Sequence, residues 1–118
     1  MEHELERREG IAAPKSYWKL SENEKNELLN QCGGDPITTA LVPDSILGTD
    51  VSIACNIHDW MYVTGKNGSD KEKADLLFKK NLQTIVEQEN QGGPIKAIKK
   101  GIAYVYSAVA SFLGHLYF

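Results

Sequence analysis

His58 and Asp59 stand side by side in the run Ala54-Cys55-Asn56-Ile57-His58-Asp59-Trp60-Met61-Tyr62. A neutral imidazole is a general base suited to neutral pH. A carboxylate is a hard oxygen donor of the kind calcium takes. Neighbours on a helix point about 100° apart, so the two cannot serve one another, but both can face one cleft and do different jobs. Asp75 is a second candidate. It shares a stripe with Phe78, Leu82 and Ile85, at i, i+3, i+7 and i+10, and a carboxylate on an apolar face is costly unless something pairs with it. Either it lies near a helix start with its head in water, favoured by the helix dipole, or it meets His58 from a facing helix. In the second case it fixes the imidazole tautomer and stabilises the charged ring. A third candidate is Cys32-Gly33-Gly34-Asp35, where glycines let backbone carbonyls and N–H groups turn toward an ion or an oxyanion.

The elements that must position these residues read as helices. Residues 1–15 form a polar lead-in ending at Pro14. Ser21 and Glu24 have the spacing of a capping box and open a short helix that stops at Gly33-Gly34. The stretch from Gly33 to Gly48 keeps no period and reads as an ordered loop, and a loop that long is usually functional. A helix is expected from Thr49 or Asp50 to about Val63, with Ala54, Cys55, His58 and Tyr62 on one face. After the turn at residues 64–68, Ser69 and Glu72 form a second capping box, opening a helix that runs to about Glu89 and stops at Gly92-Gly93-Pro94. A last helix runs from Ile95 to the C-terminus. No strand signal is strong, so the expected fold is all-α, in one domain spanning residues 1–118.

Composition narrows the function. Net charge is −3, and no Lys/Arg-rich block is present to track phosphates, so nucleic acid is not an expected partner. The polar N-terminus has no apolar run of the signal-peptide type. The segment from Gly101 to Phe118 has no Asp, Glu, Lys or Arg; its Gly, Ser, Tyr and His residues suit a packed helix with an edge that meets lipid better than a span. Cys32 and Cys55, the chain's two cysteines, are too few for a disulfide-dense scaffold. They are either buried thiols or one bridge closing a loop of roughly 24 residues, worth about 3 kcal/mol in the chain-entropy picture. A Cys55–His58 nucleophile pair is disfavoured because Cys55 lies on the apolar side. A zinc site from Cys32, Cys55 and His58 lacks a fourth ligand.

Each signal alone is weak, but their order along the chain is informative. Pro43-Asp44, then Gly48, then Ala54-Cys55-Asn56-Ile57-His58-Asp59-Trp60-Met61-Tyr62, then Ala74-Asp75-Leu76-Leu77-Phe78 resembles the phospholipase A2 superfamily, whose active-site helix carries C-x-x-H-D-x-x-Y. The Pro-Asp, the spaced Gly and the Ala-Cys are most similar to its prokaryotic and other small branches, and the segment Ala103–Val109 is similar to the aromatic C-terminal helix of prokaryotic members. The resemblance spans roughly residues 30 to 114. It implies a fold of two antiparallel core helices carrying the site, a glycine-containing calcium loop and a C-terminal helix. It implies that His58 activates a water for attack on the sn-2 ester of a phospholipid, that Asp75 orients His58, and that Tyr62 bonds to Asp75. It also implies calcium held by Asp59 with carbonyls near Gln31, Gly33 and Asp35, an oxyanion donor at Gly33, a Cys32–Cys55 disulfide, a phospholipid membrane surface as partner, and a location outside the cytosol. The loop departs from the family's Cys-Gly-x-Gly, and Asp35 or Asp44 could supply a carboxylate in place of a carbonyl. With a degenerate loop, the alternative is a catalytically silent module of the same fold that binds membrane or protein.

Overall fold

In the computed structural model, which describes residues 4–28, 45–46, 48–88 and 93–114, the chain opens on an antiparallel hairpin. Strands β1 (Leu5–Arg8) and β2 (Ile11–Pro14) pair from Leu5↔Pro14 to Arg8↔Ile11. Glu9 and Gly10 make the connection, both at positive φ (54° and 84°), as a two-residue loop between right-twisted strands requires. β2 is buried throughout while β1 is largely exposed. The hairpin is held by tertiary contact: Asn81 Oδ1 accepts from the Ala12 N–H at 3.1 Å and its Nδ2 donates to the Ala12 carbonyl at 2.8 Å. One amide side chain thus does for Ala12 what a neighbouring strand would do. Two expectations are corrected here. Residues 1–15 are not a mere lead-in, and the fold is mostly helical with two small sheets, not all-α.

A short helix α1 (Lys15–Trp18) buries Tyr17. Helix α2 (Glu22–Leu28) follows with the capping box in place: the Ser21 N–H donates to Glu24 at 3.0 Å and the Glu24 N–H to Ser21 Oγ at 3.1 Å. The expected stop at Gly33-Gly34 and most of the Gly33–Gly48 loop lie outside the described residues. What is described of the loop's end is a second hairpin, β3 (Ser45–Ile46) and β4 (Thr49–Asp50), turning at Gly48 with φ 88°.

Three longer helices complete the fold: α3 (Ser52–Thr64), α4 (Gly68–Glu87) and α5 (Gly93–Gly114). The Asp50 carboxylate accepts from the Ser52 N–H at 2.9 Å and opens α3. The cap of α4 is Asn67, whose side chain accepts from the Asp70 N–H at 3.1 Å; this corrects the expected cap at Ser69. Asp70 in turn accepts from the Lys66 N–H at 2.9 Å. The short connection folds α4 back on α3. One hydrophobic cluster joins Ile46, Val51, Ala54 and Cys55 to Phe78, Leu82 and Val86 of α4 and to Ala103 and Tyr106 of α5. A second joins β2 and Tyr17 to Ile57, Met61, Ala74 and Leu77. Each fully buried large aliphatic in them is worth roughly 1.5–3 kcal/mol. α4 therefore has core on both sides, and its stripe between them can carry polar groups only if they are paired. No helix among the described residues is long and apolar enough to cross a membrane.

Candidate active site

The α3–α4 hairpin brings three of the expected residues together. His58 Nε2 lies 2.8 Å from Asp75 Oδ1, and the Tyr62 hydroxyl donates to the same oxygen. Tyr62 stands one turn after His58 on α3, so both reach the carboxylate from one helical face. The His58 ring is flanked by the rings of Tyr62 (centroids 4.2 Å apart) and Phe78 (4.6 Å). Those contacts fix its plane. The His58 and Asp75 side chains are each 12% exposed, so the pair is shielded but reachable. With Nε2 committed to Asp75, Nδ1 makes no hydrogen bond among the described residues.

A fourth member was missed in the sequence. Lys71, on α4 one turn before Asp75, places Nζ 2.5 Å from Asp75 Oδ2. Its signal was present: counted backward from Asp75, the same stripe reaches a lysine at i−4, and i, i+4 neighbours meet on a helix surface. Burial by itself pushes the Asp75 carboxyl up, but hydrogen bonds from His58, Lys71 and Tyr62 outweigh it and hold Asp75 well below the usual carboxylate range. Burial, then the hydrogen bond to Asp75 and its negative charge, push the Tyr62 phenol above its ordinary value. Asp75 is thus an ionised acceptor and Tyr62 a protonated donor across the physiological range.

The set expected to bind calcium is described only in part. Asp59 is half-buried on α3 beside His58 and has the donor chemistry calcium takes. Gln31, Gly33 and Asp35, and Asp44 with them, lie outside the described residues. No group of three or more His, Cys, Asp or Glu side chains gathers among the described residues; a site built on one carboxylate and loop carbonyls needs no such group. Cys55 is disulfide-bonded, and Cys32, the chain's other cysteine, lies outside the described residues.

The arrangement is a tautomer-fixed imidazole backed by an ionised, fully hydrogen-bonded carboxylate, which can take a proton from a water at Nδ1 and return it to a leaving group. No family model matches the chain, and neither a curated protein nor a solved structure matches it at a significant level.

Proposed function

We propose that the chain is a calcium-dependent esterase of the phospholipase A2 type, which hydrolyses the sn-2 ester of phospholipids with a water activated by His58. One observation carries the proposal: Asp75 Oδ1 holds Nε2 of His58 at 2.8 Å while Nδ1 is left without a hydrogen bond among the described residues. With Nε2–H donating to Asp75, the lone pair of Nδ1 removes a proton from water as its oxygen attacks the ester carbonyl carbon. The imidazolium so formed is stabilised by Asp75 and gives its proton to the departing glycerol oxygen as the carbon–oxygen bond breaks. Tyr62 keeps the carboxylate aimed at Nε2. A backbone N–H at Gly33 is the proposed oxyanion donor. Asp59 and carbonyls of Gln31, Gly33 and Asp35 would hold calcium, which when bound would supply positive charge to polarise the ester carbonyl.

The helix pair α3–α4 and the following α5 are the elements such an enzyme uses, and this supports the finer assignment of a phospholipase A2-like fold. The outer face of α5 exposes Ile98, Tyr104, Val105 and Phe112, which suits contact with a phospholipid membrane surface. The disulfide on Cys55 suits an oxidising compartment outside the cytosol. The test is release of fatty acid from mixed-chain phospholipid vesicles, with calcium or with chelator. Release from the sn-2 position is expected with calcium only, and is abolished by His58→Asn. Vesicle binding with no release under either condition refutes the esterase and leaves a silent binding module of the same fold.

A further inference from the structure

Asp75 has one partner that the reaction proposed above does not use. Lys71 is 5% exposed, and an ammonium so deeply buried persists only when paired. Its partners are Asp75 Oδ2 at 2.5 Å and, from α5, Ser111 Oγ at 3.4 Å. The three donors to Asp75 are divided between its oxygens: Oδ2 takes Lys71, and Oδ1 takes His58 and Tyr62. A carboxylate bound only through Oδ1 could swing about its Cβ–Cγ bond and carry Oδ1 out of line with His58 Nε2. With Lys71 seated on Oδ2, that swing breaks a charge-assisted hydrogen bond, the stronger kind.

We propose that Lys71 is a positioning residue of the His58–Asp75 pair, anchoring Oδ2 so that Oδ1 stays on His58 Nε2 and the ring keeps one orientation. Lys71 does not touch the reacting atoms; it acts through Asp75. An ordinary i, i+4 ion pair lies in solvent and contributes little. This one is closed over by a third helix, so α5 helps to set the site as well as the core. The effect on turnover rests on the esterase proposal, while the effect on the imidazole does not.

The experiment compares Lys71→Met, which keeps bulk and removes the charge, with Lys71→Arg, which keeps the charge. The first readout is the proton on His58 Nε2, followed by nitrogen-edited NMR. In the wild-type protein it should be a downfield signal slow to exchange with water. In Lys71→Met its exchange should quicken roughly tenfold or more while backbone amides of α4 keep their protection; Lys71→Arg should restore the slow signal. The second readout is turnover. Lys71→Met should lower kcat by about 10–100-fold with KM little changed, and Lys71→Arg should recover most of it. If Lys71→Met does not fold, Lys71→Gln, which keeps a neutral donor in reach of Oδ2, replaces it and is read by its difference from Lys71→Arg. A His58 proton that exchanges at the wild-type rate in the folded uncharged variant overturns the proposal and makes Lys71 a structural ion pair. Absence of turnover in wild-type protein overturns the esterase alone, and the ring-proton measurement then decides the role of Lys71 by itself.

Discussion

Two polar side chains on α4, the half-buried Asp75 and the buried Asn81, solve the same problem in opposite ways. Asn81 is neutral, 1% exposed, and spends its amide on the backbone of Ala12. Asp75 is charged and gathers three side-chain donors from two helices. The first arrangement satisfies every polar group it touches and leaves nothing to react. The second leaves a ring nitrogen of His58 without a hydrogen bond among the described residues. Burial of a polar group thus says little about function on α4; what separates a docking residue from a site residue is whether its partners are saturated. The Asn81 end of the helix docks the hairpin, and the Asp75 end carries the candidate site.

Breaking each end should therefore give different defects. Asp75→Asn should produce the largest change, lowering fatty-acid release by about 10²–10⁴-fold through lost tautomer control and charge stabilisation. It should also lower stability by roughly 3 kcal/mol, because Lys71 is left as a buried ammonium without a counterion. Asn81→Ala should cost stability alone. The Ala12 N–H and carbonyl lose their partners, which is worth about 2–4 kcal/mol for the two groups. Turnover per folded molecule should stay within about twofold. Urea melts and vesicle assays on the same samples separate the two outcomes. A large turnover loss in Asn81→Ala at full folding would mean that the hairpin takes part in the site.

A smaller effect is expected where the hairpin turns. Gly10 has φ +84°, and a Cβ there would meet Gln88 Nε2 at 2.8 Å and Thr84 Cγ2 at 3.2 Å. Gln88 cannot simply withdraw, since Nε2 donates to the Glu9 carbonyl at 2.6 Å. Gly10→Ala should cost about 1–2 kcal/mol from the left-handed conformation, with more if Gln88 loses its bond. Turnover should be unaffected. Thermal melts of Gly10→Ala and Gly10→Asn separate the contributions, because Asn tolerates this backbone region better.

The same contrast explains what could be read from the sequence. The helices α3 and α4 follow from helical periodicity inside one short segment, whereas spacing alone leaves open whether Asp75 meets His58 or faces water, and the bond from Tyr62 to Asp75 is implied by the family resemblance. The capping box at Ser21 is equally local. The β1–β2 hairpin is not. Its anchors, Asn81 and Gln88, are 69 and 79 residues away in sequence, and Ile-Ala-Ala-Pro carries little strand preference of its own. The cap of α4 was misplaced because Asn67 and Ser69 are both good cap residues, and only the turn geometry chose between them. Lys71 was passed over because a lysine on a helix normally faces water; only its i−4 spacing from Asp75 marked it.

Acid pH offers the finest comparison of the two ends. An unfolded aspartate titrates near about 3.9, and folded Asp75 is held lower because its donors outweigh its burial. A depressed carboxyl stabilises the native state fully above its unfolded value, and that contribution drains away as pH falls toward the folded value. The wild-type protein should therefore lose about 1 kcal/mol from this one group between pH 6 and pH 3. Glu4, Glu24, Asp50 and Glu87 are also lowered by their own hydrogen-bond donors. They lie elsewhere and are common to all variants, so they cancel in a difference. Asn81 does not titrate, and Asn81→Ala should show the full wild-type acid slope from a lower starting stability. Asp75→Asn should show a flatter slope, because an amide has no proton to gain in this window. Urea unfolding of the three proteins from pH 6 to pH 3 measures those slopes. Equal slopes in wild type and Asp75→Asn would mean that the carboxylate's pairing with Lys71, His58 and Tyr62 contributes no net stability in solution.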